Sequence, residues 1–482
     1  MLIQHCLTPD NTQADRCSKR DVRVENGKIA EVAELLAPCP NEETFDARGK
    51  LLLPGMVNAH YHSYSNLWKG TAWGEPLEVW SSDTIGLGGL MGNEEAVLSA
   101  YLGIAEMLHA GVTACIDHIP HADRVDAISG AYRQTGFRAA VAPMISDIGD
   151  DRALCGMRPS TDRTPSSVQN MADRYDDWVG RWHDPDGTLQ MLCALNAPQR
   201  ASEQALAVAA DIRDKYRLGV HTHLLETRWQ AASAVCAGRD PVRLLEAFGL
   251  LTDLTGLAHC VYLNEDQVRR IADAGSTVIH IPTGNLFLGS GRADIAAYRE
   301  HGIAAAIGSD GSNCATGQNL LTVLRSAVLL QRMTEPDARK WMRVQDAWNM
   351  ATVNGARAAG FNSGAVKPGM CADLVLADLS ALAYQPCYDP LLQSILLADR
   401  LDVTDVWIGG NAVMRDRKLL CMDEDVLKEE IRKRTPELRA SVRRTKETVL
   451  PEKKRFETAY YEQIAGKGEE HERDQKMAVK SE

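Results

Sequence analysis

Two textures of hydrophobic spacing alternate along the chain. Up to about residue 50, apolar and polar residues alternate with a period of two, as in Val22-Arg23-Val24-Glu25, then Asn26-Gly27, then Lys28-Ile29-Ala30. Period two is the spacing of a half-buried strand, and Asn-Gly supplies the two positive-φ positions of a tight hairpin. Asp46-Ala47-Arg48-Gly49-Lys50 reads as a further turn. An apolar run, LLLPGMVNAHYHSYSN, follows from Leu51 to Asn66 and reads as a strand. A long loop is expected from Ser63 to Gly92, rich in Gly and carrying Trp68, Trp73 and Trp80. Loops of that length inside a compact fold are functional or disordered, and three tryptophans argue for the former.

The spacing then becomes helical. Asn93 is placed as the cap of a helix running to about Ala110 and ended by Gly111. Further helices are predicted at Arg124–Thr135, Ser166–Trp182, Ser202–Tyr216, Arg228–Phe248, Asn264–Ala274, Ala293–His301 and Leu320–Arg332. Between them lie strand-like runs at Val112–Asp117, Arg138–Pro143, Leu189–Leu195, Leu218–His223, Thr255–Cys260, Ser276–Ile281 and Ile303–Ile307. With the run at Leu51 that makes eight strands separated by helices, a pattern that implies a parallel sheet. Eight units favour a closed (β/α)8 TIM barrel, with an open doubly wound sheet as the alternative. From Ala365 the short-strand texture returns, at Val366–Asp378, Val403–Gly409 and Asn411–Val413. The expected organisation is therefore an α/β chain with a small β-sandwich domain built from both ends, 1–54 and 365–421. The barrel, 55–364, is inserted within it. Residues 422–482 form a charged helical extension whose polar end, 467–482, is expected to be disordered. Val449, Leu450, Phe456, Tyr460 and Tyr461 interrupt the charges of that extension, so its apolar face must pack on the body or on a second subunit.

Composition narrows the class. The net charge of -12 argues against nucleic acid, since phosphate contacts need a basic face. No run of 18 apolar residues spans a membrane, and the first twenty residues show no basic start before an apolar core, so no secretory leader is expected. The 12 scattered cysteines include no Cys-X-X-Cys pair and read as reduced thiols of a cytoplasmic protein.

The candidate chemistry sits at strand ends. In Asn58-Ala59-His60-Tyr61-His62 the two imidazoles are two residues apart and leave one face of a strand. His221 and His223 end the fifth strand candidate, with Glu226 just beyond; His259 ends the sixth; Asp310 follows the eighth. In a barrel these positions share the C-terminal rim, where barrel enzymes keep their chemistry. Three neutral imidazoles and a carboxylate suit one Zn2+ or Fe2+ with a position open to water, whose pKa the ion lowers toward neutrality. A nearby carboxylate can take the water's proton, and a second acid must protonate a leaving nitrogen. Glu226 is placed to reach the site from its loop. Taken singly, each residue has a plainer reading as a core histidine or a turn former; their common placement on one rim carries the metal reading.

The stretches PGMVNAHYH, HTHLLET, GLAHCVYL, HIPTGNLFLGSG and AIGSDGSNCATG resemble the metal-dependent amidohydrolase superfamily, in its deaminase and chlorohydrolase branch. That branch holds S-adenosylhomocysteine and guanine deaminases and s-triazine hydrolases, and the resemblance covers about residues 1–420. It implies that His60, His62, His223 and Asp310 bind the metal, with His223 chosen over His221 because it stands three before Glu226. It implies Asp310 as base, Glu226 as proton shuttle and His259 as the group that orients water or substrate. His280 and Asn285 correspond to a pocket-lining segment in which family members carry Ser-Asn where this chain has Gly284-Asn285. Binuclear members carry a bridging lysine after the fourth strand; Met191 to Pro198 contains none, which implies one ion per chain. The Trp68 and Trp80 loop resembles the segment that covers the active site in this branch, where aromatic faces can stack on a flat ring. His5, His109, His118, His121, His183, His301 and His471 are left as structural or surface residues.

The resulting expectation is a cytoplasmic homo-oligomer, dimer or tetramer. Each subunit holds one divalent ion, Zn2+ before Fe2+, and hydrolytically deaminates an amino-substituted purine, pyrimidine or s-triazine-like ring. The rivals are loss of chloride or alkylamine from such a ring, and a non-catalytic scaffold that keeps the fold. A scaffold has no reason to retain the complete ligand set.

Overall fold

The computed structural model describes residues 1–9, 17–148, 165–236, 238–333 and 335–478. The run from Leu51 is two strands, not one. Lys50–Pro54 belongs to a second sheet and Met56–His62 opens the barrel. They part at Gly55, where a Cβ would lie 2.0 Å from Thr113 Oγ1, so only glycine lets the chain cross there.

The barrel continues through Val112–Ile119, Arg138–Ile145, a fourth strand in two pieces (Leu189–Met191 and Cys193–Leu195), Val220–Leu224, Thr255–His259, Thr277–His280 and Ala304–Ile307. Every pairing among them is parallel. The eighth strand closes the ring: Ala304–Ile307 pairs with the seventh, and its continuation Asp310–Gly311 pairs with Tyr61 and His62 of the first. Small and branched residues such as Val57, Ala114, Ile116, Ala140, Ala194 and Ile279 fill the interior, making it a packed core and not a pore.

Ser202 and Asn264 start their helices by accepting the backbone N–H of Ala205 and Gln267, at 3.2 and 3.0 Å. Three sequence expectations need correction. The cap of Asn93–His109 is Gly92, whose N–H is held by the Glu95 carboxylate at 3.0 Å. The helix expected over Arg228–Phe248 is two, Arg228–Cys236 and Pro241–Ala247, because Asp240 accepts from Val242 N (2.8 Å) and Pro241 begins a new first turn. The expected loop from Ser63 to Gly92 contains a 3-10 turn, Ser63–Trp68, and a 14-residue helix, Leu77–Leu90.

That helix roofs the barrel mouth. Its three glycines argue against a helix by propensity, but two of them permit close packing. A Cβ at Gly86 would lie 2.7 Å from Thr445 Cγ2, and one at Gly88 2.1 Å from His121 Nε2. Thr445 comes from the terminal helix, Glu424–Ala478, which lies along the outer face of the roof. Lys453 Nζ bridges Glu75 Oε1 (2.6 Å) and the buried Asp83 Oδ2 (2.7 Å). Phe456 and Tyr460 pack on this chain's own Trp229. Helical backbone extends to Ala478, into the stretch expected to be disordered; residues 479–482 lie outside the described residues. No helix among the described residues is long and apolar enough to cross a membrane.

The second sheet draws on both chain ends. Leu374–Asp378 pairs antiparallel with Lys50–Pro54, joining Val403–Ile408 and Asn411–Arg415 on one side to Leu2–Pro9, Cys17–Glu25 and Lys28–Ala33 on the other. Hydrogen bonds link its nine strands into one sheet around a core of Ile3, Val22, Ile29, Leu52, Leu374 and Trp407. Asn26 and Gly27 have φ of 49° and 76°, the hairpin turn read from their sequence.

Arg138, on the third barrel strand, forks onto Asp373 beside this sheet, with Nε–Oδ2 at 2.7 Å and Nη2–Oδ1 at 2.9 Å. Their side chains are 4% and 1% exposed. Removing one partner of such a pair strands a buried charge. Arg138→Leu is therefore expected to cost about 3–5 kcal/mol in denaturant unfolding. Pairing it with Asp373→Leu should restore part of that loss.

Candidate active site

Barrel closure brings the strand-end residues to one place. A cavity of about 260 Å³ opens at the C-terminal ends of the strands. Its floor includes His62, His223, Glu226, His259 and Asp310. Leu77, Trp80, Thr84 and Ile85 of the roof helix cover it, and Met144, Asn196 and Arg200 form part of its side. His60 is fully buried beneath the floor.

Hydrogen bonds assign the tautomers, because a carbonyl oxygen only accepts. His62 Nδ1 donates to the His118 carbonyl (2.6 Å) and His223 Nδ1 to the Asn196 carbonyl (2.7 Å). Both rings therefore present a bare Nε2, the arrangement that a hydrogen bond on the opposite nitrogen gives metal-binding histidines. His60 Nδ1 lies 2.9 Å from His221 Nε2, and His60 Nε2 is buried without a partner among the described residues. Asp310 Oδ1 lies 3.4 Å from His62 Nε2 and 3.9 Å from His60 Nε2. Two overlapping groups result, His60 with His62, His118 and His223, and His60 with His259 and Asp310; within each, one donor atom per residue lies within 4.8 Å of the others.

Burial, reinforced by the neighbouring imidazoles, holds the His60 and His223 pKa values well below the usual histidine range. Both rings are neutral at pH 7, with lone pairs free for a cation. An orphaned Nε2, neutral imidazoles and an adjacent carboxylate fit a divalent metal.

Glu226 stands apart from the nitrogen cluster. Its Oε2 lies 3.6 Å from His259 Nε2, and its Oε1 accepts from Ser290 Oγ at 3.3 Å. Burial pushes its carboxyl up to about 7; His259 opposes the shift and the Asp310 charge adds to it. A carboxyl in that range can both hold and release a proton at neutral pH. Asn285 Oδ1, 2.9 Å from His259 Nδ1, turns the other ring nitrogen toward Glu226.

Backbone strain marks the same places. Asp310 and His259 have φ of 68° and 72°, left-handed for non-glycine residues. Asp310 is held there by strand closure and by Gly311 N–H, 2.8 Å from its Oδ1. The Gly284 departure has a local meaning. A Cβ at Gly284 would lie 2.7 Å from Asp310 Oδ2, so glycine makes room for that carboxylate.

Of the four residues expected to line the pocket, Trp80 is on the wall. Trp68 is 1% exposed inside the main hydrophobic core, His280 is buried off the cavity, and Asn285 supports His259 without reaching the wall. Trp68 lies in the turn ahead of the roof helix, where its ring fills core and cannot stack on a ligand. Arg200, His121 and Tyr64 line the cavity, and sequence reasoning had no signal for them. His118, set aside as structural, joins the metal-site cluster. A usable signal existed: it continues the alternation of Ala114 and Ile116, both of which face the barrel interior.

A closed (β/α)8 barrel with buried imidazoles and a carboxylate at its C-terminal rim is the architecture of a metal-dependent barrel hydrolase. Over residues 51–413 the sequence matches the amidohydrolase family, and the chain belongs to it. It is 31% identical over 439 residues to the 5-methylthioadenosine/S-adenosylhomocysteine deaminase of Halobacterium salinarum, covering 90% of this chain and 96% of that protein. A zinc-bound adenosine deaminase from Xanthomonas campestris superposes with a TM-score of 0.80 at 30% identity, covering 91% of this chain and 98% of the other. A zinc-bound atrazine chlorohydrolase from Arthrobacter aurescens shares the fold, with a TM-score of 0.82 at 23% identity over 90% and 99% of the two chains.

Proposed function

We propose that the chain is a mononuclear metal-dependent aminohydrolase that replaces the amino group of a purine-like heteroaromatic ring with oxygen, releasing ammonia. The observation that carries this reading is the pairing of a proton-holding carboxyl, Glu226, with His259 across the cavity floor from the His62–Asp310 pair. The deaminase relatives support the substrate class. His60, His62, His223 and Asp310 would hold the ion. When bound, the ion supplies a water acidified toward neutrality.

The chain's own groups then divide the work. Asp310 accepts the proton of the attacking water. Glu226 delivers its proton to the ring nitrogen next to the reacting carbon, which makes that carbon electron-poor, then takes the proton of the newly added hydroxyl and passes it to the departing amine; the proton held on Asp310 returns to Glu226 for the next turnover. His259, oriented by Asn285, holds the entering oxygen. The roof helix excludes bulk water, and Trp80 offers an aromatic face to the ring. Protons and atoms balance as water plus amino-heterocycle giving oxo-heterocycle plus ammonia.

Zinc is preferred to iron, supported by the zinc bound in the two solved neighbours. The same reading takes the protein as a cytoplasmic homo-oligomer. The test is ammonia release by the zinc-loaded protein from adenosine-type nucleosides, free aminopurines, aminopyrimidines and amino-s-triazines. Release from a purine-type compound is expected; release from none of the four classes would remove the proposal.

A further inference from the structure

His118 has no place in the four-ligand set, and its surroundings demand one. It is the penultimate residue of the second barrel strand, on the face that Ala114 and Ile116 turn to the barrel interior, and is 0% exposed. Its Nε2 lies 3.1 Å from the Leu195 carbonyl, so that nitrogen carries the proton. Nδ1 is consequently a bare lone pair, buried and without a partner among the described residues. An unmet buried polar atom of this kind is destabilising and calls for a partner.

The neighbours say what kind of partner. The His118 ring lies 4.6 Å from the ring of His223, 5.6 Å from His60 and 5.7 Å from His62. One nitrogen of each of these four residues lies within 4.8 Å of the others. Nδ1 is the uncommitted nitrogen His118 can bring to that group. Three of the four rings are fixed by carbonyl bonds on the opposite nitrogen: His62 on His118, His223 on Asn196 and His118 on Leu195. Nothing in the hydrogen-bonding separates His118 from two residues already assigned to the ion.

We infer that His118, through Nδ1, is a further ligand of the divalent ion. The inference rests on the metal reading above and extends it. His60 and His118 are both fully buried and absent from the cavity wall, whereas His62, His223 and Asp310 line it. Two imidazoles thus approach from beneath and three donors from the rim, leaving the cavity side for water and substrate. Five chain donors suit an ion of coordination number five or six, beyond the tetrahedral arrangement of a structural zinc site.

The test is a crystal structure of the zinc-loaded full chain, with chelator competition alongside. His118 Nδ1 is expected at about 2.1 Å from the ion. His118→Gln, which keeps an amide donor for Leu195, should release zinc to a competing chelator at least about tenfold more readily than the parent protein. An ion held by His60, His62, His223 and Asp310 with His118 Nδ1 beyond about 3 Å would overturn the inference and leave the proposed function standing. Unchanged zinc retention in a folded His118→Gln protein would also overturn it. No ion at any of these residues would remove both readings.

Discussion

Replacing His223 with alanine is expected to abolish stoichiometric metal binding and to lower turnover by at least about a thousandfold. The reason lies in how its ring is held. Its Nδ1 is spent on the Asn196 carbonyl, so the ring has one use left, and its Nε2 faces the cavity floor. Alanine removes the only imidazole that the fifth strand brings to the cavity wall, and the bare nitrogens of His60, His62 and His118 are themselves placed on the ion, so none is spare to take its position. Without the ion the water keeps its ordinary acidity, and several kcal/mol of stabilisation disappears from the reacting step. His221→Ala is the informative comparison. His221 supports His60 from behind, so its loss should weaken metal affinity about 10–100-fold without removing the site. Metal analysis of both variants, with circular dichroism to establish folding, checks the prediction. Equal effects, or full metal retention by His223→Ala, would contradict the assignment.

Glu226→Gln is expected to keep its metal and lose at least about a hundredfold in kcat. Glutamine keeps the shape and can still accept from Ser290, but it carries no proton to the ring or to the leaving amine. If Glu226 were only a loop residue ahead of the helix at Arg228, the same change would leave kcat nearly intact. A chloro-substituted ring sharpens the contrast, since chloride leaves without a proton and should suffer less from the substitution.

The burial that tunes Glu226 also has a stability consequence of definite sign. In the metal-free chain its carboxyl rises from an ordinary 4.5 to about 7. The folded form therefore keeps a proton that the unfolded form surrenders above 4.5. Stability should fall as pH climbs from about 4.5 through about 7, by a total of about 3 kcal/mol. The Gln variant has nothing to titrate there and should lack that fall. Parallel denaturation of the two metal-free proteins at pH 4.5, 6 and 8 reads the difference directly; parallel pH profiles would show that Glu226 is not held as described.

What the sequence disclosed, and what it withheld, follows from the range of the interactions involved. Strand ends at His62, His223, His259 and Asp310 were legible because each closes an apolar run of strand length, and barrel geometry then places them on one rim. The roof helix was not legible. Gly86, Gly88 and Gly89 lower its intrinsic propensity, and what holds it comes from Thr445 and Lys453, more than 350 residues further along the chain. Trp68 and Trp80 share one loop-like stretch and look alike in sequence, yet one fills core and the other faces the cavity. Only the turn that begins at Ser63 decides which is which. His118 was passed over because a single histidine inside an apolar strand is ordinarily a core residue; alternation with Ala114 and Ile116 could have aimed it inward, but its company there, His60, His62 and His223, arrives from two other strands. Arg138 and Asp373 gave no sign of pairing across 235 residues, because a long-range buried ion pair has no local pattern.

The most direct test of the whole account is a metal titration followed by ammonia release. Protein stripped with a chelator is titrated with Zn2+ in the presence of the best purine-type substrate, and the initial rate of ammonia formation is recorded against ions added per chain. No release is expected at zero metal, followed by a linear rise and a sharp break at one ion per chain. Full activity in the stripped protein, or a break at two ions, would contradict it.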